Sequence, residues 1–119
     1  MSPSDNALHL KVTLRLLDGE NQRRFGPGVA ALLVKVRKRH SLRAAAGEMG
    51  MSYSKAWRII HSAEDAFGCK LLESTIGGRH GGGAVLTPQA EALLEAYLAL
   101  RADVDAYAQK RFLECFGKF

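Results

Sequence analysis

The sequence predicts one small, mainly helical α+β domain. The chain has 119 residues, within the usual size of a single compact domain. Hydrophobic residues make up 47% of it and charged residues 24%, proportions typical of a folded globular chain and not of a disordered one. Apolar side chains recur with a period of two near the N-terminus and with a helical period over much of the rest. We therefore expect residues 1–119 to form one mostly α domain with short β-hairpins.

The N-terminal part predicts a β-hairpin. Apolar and polar side chains alternate from Leu8 to Leu16, which is the period of a strand with one buried face. Asp18 and Gly19 follow as a turn dipeptide, and a return strand is expected from Gln22 to Phe25. The residues Gly26-Pro27-Gly28 would then end the hairpin.

Three helices are predicted next, in close succession. The first covers Val29–Val36, where apolar residues at helical spacing lie opposite a basic face. Ser41 is expected to cap a short second helix that ends near Gly50. Ser52 is expected to cap a third helix that reaches about Phe67.

A second hairpin and a long helix complete the predicted chain. The hairpin is expected over residues 69–86, with strands at Cys69–Ile76 and Ala84–Leu86 around a glycine-rich loop. Thr87 then has the residue type of a helix cap, and Pro at the next position favours the first helical turn. The last helix is therefore predicted over about residues 88–114.

The second and third helices have the spacing of a helix-turn-helix over residues 41–67. In that motif the second helix lies in the major groove of DNA, and here its inward stripe leaves polar side chains facing out. The basic glycine loop would act as a wing, so the fold is predicted to be a winged helix-turn-helix that binds double-stranded DNA. The candidate contacts are Arg43, Ser52, Tyr53, Ser54, Lys55 and Arg58, with Arg79 and His80 in the wing.

The distribution of charge favours a polyanionic partner. Seventeen Lys and Arg residues against twelve Asp and Glu give a net charge of +5. Positive charge is concentrated between residues 35 and 58, which hold seven bases and one acid. Residues 88–109 hold four acids and one base. We therefore expect phosphates to meet the first of these regions and not the second.

Two aromatic or titratable candidates have alternative interpretations. Trp57 lies between the inward stripe and the exposed face of its helix, and packing in the core or at its edge is the favoured interpretation. The alternative is contact of the ring with a sugar or a thymine methyl group, so Trp57 stays among the candidate DNA contacts. His80 is either a solvent-exposed loop residue or a phosphate contact.

The last helix predicts a dimer interface. Its apolar residues recur at alternating steps of three and four, as in a coiled-coil seam. A helix of about seven turns would also extend beyond the core of so small a domain. The alternative is that the chain's own core covers this stripe. A protein-interaction module, which uses the helix to bind an unidentified protein and has only nonspecific DNA affinity, is the alternative function. The predicted interface is Leu93, Tyr97, Leu100, Val104 and Tyr107.

No catalytic or metal site is predicted. Cys69 and Cys115 lie far apart, and the four histidines lack metal-ligand spacing. The glycine loop leads into a strand and is not followed by the Gly-Lys-Ser/Thr of a P-loop, which argues against nucleotide binding. No segment has the length and apolarity of a membrane helix, and the N-terminus lacks a signal pattern. We expect a cytoplasmic, nucleoid-associated protein with no enzymatic activity, no cofactor and no membrane partner.

Several motifs resemble known regulators. Residues 41–46 (SLRAAA), 50–52 (GMS) and 67–75 (FGCKLLEST) are similar to the DNA-binding domain of LysR-type regulators. Residues 51–57 (MSYSKAW) and 77–87 (GGRHGGGAVLT) more specifically resemble the winged-helix domain of the ModE family of molybdate-responsive regulators. The resemblance covers about Leu10 to Tyr107.

This resemblance implies a bacterial transcription regulator that binds an inverted-repeat operator as a homodimer. The third helix would enter the major groove, and the terminal helix would hold the dimer together. In the full-length family a C-terminal region binds molybdate or tungstate, and these 119 residues lack it. Direct sensing of the oxyanion by these residues is therefore not expected. The alternatives are regulation without an effector, a response through a partner, or a longer natural chain of which these residues are a part.

Overall fold

The computed structural model describes residues 8–75 and 83–119. Within them it has two antiparallel hairpins and four helices, which confirms the predicted α+β winged helix-turn-helix with a long C-terminal helix. In chain order the elements are β1 Leu16–Leu17, β2 Arg23–Phe25, α1 Pro27–Arg39, α2 Leu42–Glu48, α3 Tyr53–Phe67, β3 Leu72–Thr75, β4 Gly83–Leu86 and α4 Pro88–Phe116.

The predicted first strand is much shorter than expected. Residues 8–15 have no regular secondary structure, and only β1 pairs with β2. The segment lies along α4, where the Tyr97 hydroxyl donates to the Leu14 carbonyl at 2.8 Å and Gln109 Nε2 donates to the Leu10 carbonyl at 2.9 Å. The strand prediction was therefore wrong for residues 8–15, where Leu14 packs against the core but Leu8 is 83% exposed.

Helix α1 lies at the centre of the core and contacts α2, α3 and α4. The ring of Phe25, at the end of β2, joins the first hairpin to two of these helices: its centroid is 5.9 Å from that of Phe67 and 5.2 Å from that of Tyr97. The core consists of Phe25, Val29, Ala30, Leu32, Leu33, Val36, Ala45, Ala46, Ala56, Ile60, Ala63, Leu71, Ala90, Leu94 and Tyr97.

The predicted helix caps are confirmed. The hydroxyls of Ser41, Ser52 and Thr87 each accept the backbone N–H three residues later, at 3.0, 3.1 and 3.0 Å, which satisfies one unpaired amide at each helix start. Helix α3 ends at Gly68, whose φ of 66° is a left-handed conformation that glycine adopts at little cost. The two helices of the motif are therefore bounded by local sequence signals.

The wing is rooted on the helices. Strand β3 begins at Leu72 and not at Cys69 as predicted, because the N–H of buried Leu71 donates to the Glu64 carboxylate at 2.8 Å instead of to a strand. Strand β4 is joined to the end of α1 by a bond from the Ala84 N–H to the His40 carbonyl at 2.9 Å. The backbone at Gly83 approaches so closely that a Cβ there would lie 2.5 Å from the His40 carbonyl oxygen.

Helix α4 extends beyond the core. Its 29 residues span about 43 Å at 1.5 Å per residue, and its buried residues all lie between Ala90 and Tyr97. The radius of gyration is 17.8 Å, against about 13.5 Å for a compact domain of this length. Tyr97, one of the predicted interface residues, is buried in the chain's own core, and the exposed part of the apolar stripe begins at Leu100.

Candidate nucleic-acid interface

Helix α3 presents a ridge of polar side chains to solvent. Ala56, Ile60 and Ala63 are buried against the core. At 3.6 residues per turn, Ser54 and Arg58 lie on the opposite, exposed side of the helix. Two clefts run along this ridge, one between α3 and the wing and one between α3 and the first hairpin.

The start of α3 is held in place by two interactions. The Ser52 hydroxyl accepts the Lys55 N–H, so its oxygen serves as the helix cap. The guanidinium of Arg43, from α2, lies 4.4 Å from the centroid of the Tyr53 ring, a cation–π distance. These contacts place residues of both helices of the motif on one surface.

The cleft beside the wing carries aromatic side chains. We call it the wing-side cleft; its volume is about 420 Å³. Trp57 is 46% exposed and stacks on His61, with ring centroids 3.5 Å apart and planes at 20°. Trp57 is therefore not in the core but at its edge, which was the other half of the favoured interpretation. The lining residues are Ser41, Leu42, Arg43, Tyr53, Trp57, Ile60, His61, Glu64, Lys70, Leu72, Ser74, Gly83 and Ala84.

The cleft beside the first hairpin carries cationic side chains. We call it the hairpin-side cleft; its volume is about 540 Å³. Arg24 fixes the hairpin to α3, because its guanidinium donates to Asp18 Oδ2 at 2.9 Å and to Ser62 Oγ at 3.0 Å. The lining residues are Arg15, Arg23, Arg24, Phe25, Gly26, Pro27, Gly28, Val29, Lys55, Arg58, Ile59 and Ser62.

The fold divides six of the seven bases at residues 35–58 into two groups, and the seventh, Lys38, is exposed on α1. Lys35 and Arg39 both pair with Glu48, and the hydrogen bond from Arg39 lowers the pKa of Glu48 below its ordinary value near 4.5. Arg37 pairs with Glu91 of α4 at 3.0 Å. These bases are already partnered, so their charge is largely compensated.

The other group faces solvent on the helix-turn-helix. Over residues 8–75 and 83–119, no carboxylate lies within 4.0 Å of the side-chain nitrogens of Arg43, Lys55 or Arg58. All three side chains are exposed. Such cations are available to neutralise an external anion.

Most of the candidate DNA contacts lie on this one surface. Arg43 and residues 52–55, 57 and 58 surround the ridge of α3. Arg79 and His80 lie outside the described residues.

Sequence reasoning missed several residues that line the clefts. His61 and Lys70 line the wing-side cleft, and Arg15 and Arg23 line the hairpin-side cleft. His61 follows Trp57 by four residues on an exposed helix, so helical spacing could have identified it. The two arginines come close to α3 only through packing of the distant hairpin, for which the sequence has no local signal.

Among residues 8–75 and 83–119, no group of three or more His, Cys, Asp or Glu side chains could hold a metal ion. None of the helices found there is long and apolar enough to cross a membrane.

Comparison with known proteins gives one family match and several relatives. Residues 30–91 match the family described as bacterial regulatory helix-turn-helix protein, lysR family. That range runs from α1 to the start of α4. It includes both helices of the helix-turn-helix, α2 and α3, and the wing strands β3 and β4.

Three relatives illustrate the similarity. The molybdenum-pterin-binding protein MopB of Rhodobacter capsulatus is 40% identical over 81 residues, 68% of this chain and 30% of that protein. The molybdenum transport protein ModE of Herbaspirillum seropedicae is 34% identical over 99 residues, 83% of this chain and 35% of that protein. The DNA-binding transcriptional dual regulator ModE of Escherichia coli K12 is 34% identical over 71 residues, 60% of this chain and 27% of that protein. The chain thus spans about a third of the length of these relatives.

Proposed function

Because the chain belongs to the lysR family of bacterial regulatory helix-turn-helix proteins, we propose that it is a DNA-binding transcription regulator that inserts α3 into the major groove. The observation that carries this proposal is the exposed ridge of α3, with unpartnered cations beside it. We propose residues 1–119 as one DNA-binding domain that acts on the nucleoid in the cytoplasm. Its action includes no catalytic step.

The proposed contacts divide by position on α3. Ser54 and Arg58 on the ridge are placed to meet base edges, where Arg pairs with guanine in two hydrogen bonds. Ser52, Tyr53 and Lys55 lie at the N-terminal end, which is the part of a recognition helix that meets the bases. Arg43 and the wing residues Arg79 and His80 are assigned to the phosphate backbone, and Trp57 to a sugar or thymine methyl group.

Of the three relatives, the Escherichia coli protein is named as a DNA-binding transcriptional regulator, and it supports only the DNA-binding part of this proposal. The matched regions cover about a third of each relative. The family match over residues 30–91 coincides with the helix-turn-helix and wing. We therefore carry over the regulator role and assign no oxyanion to this chain.

We further propose that a second copy of the chain packs on the exposed half of α4. Leu100 and Tyr107 are 46% and 65% exposed, and Val104 lies between them on the same stripe. The overhang of α4 leaves Leu100 and Tyr107 exposed, whereas Val104 is half-buried beside Val12 and Leu14 of the N-terminal segment. The resulting homodimer would present two α3 helices to an inverted-repeat operator. Leu93, at the core end of the stripe, would complete the interface.

Selection of binding sites from a random duplex pool tests this function. The experiment is run near physiological salt, where nonspecific phosphate attraction is weakened. We expect an inverted repeat with half-sites about one helical turn, roughly 34 Å, apart. Recovery of no motif, with all binding lost at modest salt, would contradict sequence-specific regulation and favour a protein-interaction module that uses α4.

The dimer is tested by Tyr107→Asp. The carboxylate would have to be desolvated in the proposed interface, so we expect the dimer to dissociate at protein concentrations where the unmodified chain remains dimeric. Sedimentation equilibrium measures the association. Ala106→Asp is the matched control, because Ala106 is also exposed but lies on the opposite side of α4 from the stripe. Equal masses for the two variants would contradict the proposed interface.

A further inference from the structure

The first hairpin adds positive charge to the side of α3 that faces away from the wing. The hairpin-side cleft contains five basic side chains, and none of its lining residues among those described is acidic. Arg15 directly precedes β1, Arg23 is the first residue of β2, and Lys55 and Arg58 come from α3. All four are exposed, and no carboxylate of the described residues lies within 4.0 Å of their side-chain nitrogens. The cleft is therefore a strongly cationic surface built from two distant parts of the chain.

The hairpin is fixed relative to α3 before any ligand binds. The Arg24 guanidinium joins Asp18 of the hairpin turn to Ser62 of α3. The Phe25 ring, next along β2, is 2% exposed and packs edge-on against Phe67 at the end of α3. Because these contacts hold the hairpin, Arg15 and Arg23 need little backbone reorganisation to act together with α3.

The dimensions of DNA place a phosphate backbone on each side of a bound helix. The major groove is about 12 Å wide, and a helix with its side chains is about 10–12 Å across. A helix in the groove therefore has one sugar-phosphate strand along each of its flanks. The wing-side cleft offers Arg43 and Lys70 to one strand, and the opposite strand would meet the hairpin-side cleft.

We propose that the hairpin-side cleft binds a DNA backbone phosphate through Arg15 and Arg23, on the strand across the major groove from the wing. This inference rests on the proposed insertion of α3. The two arginines would act with Lys55, and they would hold the helix in register without reading sequence. The first hairpin would thus be part of the DNA-binding surface as well as of the core.

The salt dependence of binding tests this inference. With the proposed phosphate contact removed, the double variant Arg15→Ala/Arg23→Ala should lower the slope of log K against log salt by about 0.9, the contribution of one neutralised phosphate. Its selected motif should stay unchanged. The control is Arg37→Ala/Arg39→Ala, which removes the same charge from residues already paired with Glu91 and Glu48. We expect the control slope to change much less.

Two outcomes would overturn the inference, and each is distinguishable from failure of the proposed function. If the unmodified chain binds DNA and the Arg15/Arg23 variant keeps the control's slope, the hairpin does not contact phosphate. If inorganic phosphate raises the melting temperature of the unmodified chain but not of this variant, while the DNA slope is unchanged, the cleft is a site for a free anion. Failure of the unmodified chain to bind any duplex would instead overturn the proposed function.

Discussion

The two clefts beside α3 differ in the chemistry that they offer. The wing-side cleft presents the rings of Tyr53, Trp57 and His61, and its charged lining residues include Glu64 as well as two bases. The hairpin-side cleft presents five bases and, among the described lining residues, no acid. One helix can therefore serve two purposes, with rings that suit stacking and apolar contact on one flank and charges that suit phosphate on the other.

The clefts also differ in how their outer walls are attached to α3. On the wing side, the buried carboxylate of Glu64 accepts the N–H of Leu71, just before the wing. On the hairpin side, a partly exposed arginine, Arg24, bonds to Ser62. Because burial makes a lost hydrogen bond more costly, the wing attachment should contribute more to stability than the hairpin attachment.

The largest effect is expected for Glu64→Ala. The change leaves the buried Leu71 N–H without an acceptor, which should lower the free energy of unfolding by about 1–3 kcal/mol. Urea denaturation measures the loss. Glu64→Gln is the control, because its amide oxygen can still accept this bond, and it should lose less. Equal losses in both variants would mean that the hydrogen bond from the Leu71 N–H to the Glu64 side chain does not stabilise the wing attachment.

A smaller effect is expected for Ser62→Ala. Arg24 would lose its bond to α3 but keep the bond to Asp18, so the free energy of unfolding should fall by about 0.5–1.5 kcal/mol. The control is Ser54→Ala, since it makes the same change in helix propensity at an exposed position of α3. If Ser62→Ala lowered the free energy of unfolding more than Glu64→Ala did, the hairpin attachment would contribute more to stability than the wing attachment.

The smallest effect is expected in acid, and only on the hairpin side. The Asp18 carboxylate accepts the N–H of Gln22 and the guanidinium of Arg24, and these bonds lower the pKa of Asp18 below its ordinary value near 3.8. A lowered pKa means that the stabilisation is complete above pH 3.8 and is lost as the pH falls through the folded-state value. The stability difference between the unmodified chain and Asp18→Asn should therefore shrink in that range.

Unfolding of both proteins between about pH 5 and pH 2 measures this difference. Glu20→Gln changes a neighbouring exposed carboxylate in the same turn and serves as the control. A constant difference between the unmodified chain and Asp18→Asn across the range would show that ionised Asp18 does not hold the hairpin.

The helix-turn-helix could be predicted from the sequence because its signals are local. Ser41 and Ser52 cap helices whose first turns follow directly, and Gly68 ends α3 with a conformation that glycine favours. Each signal depends on residues within a few positions of it. The ridge of α3 follows from the same local periodicity.

The rest of the site depends on packing between distant segments. Alternation in residues 8–16 predicted a strand, but those residues lie along α4, which satisfies two of their carbonyls. Pairing of β1 with β2, and the contacts of Arg24 and Phe25 with α3, bring Arg15 and Arg23 beside that helix. Trp57 lay near the boundary of the helical projection, and its stacking on His61 became clear only once the exposed face was known. Local patterns do not specify such arrangements.

The close approach of Gly83 to His40 has a consequence for protein engineering. A side chain at position 83 would collide with the His40 carbonyl oxygen and with Thr75 Oγ1, so saturation mutagenesis there should recover glycine codons among folded clones. His40 in turn lies between the first two helices of the domain. A wing grafted from another scaffold would therefore have to bring glycine at this position, and chimeras should exchange wing and interhelical junction as one cassette.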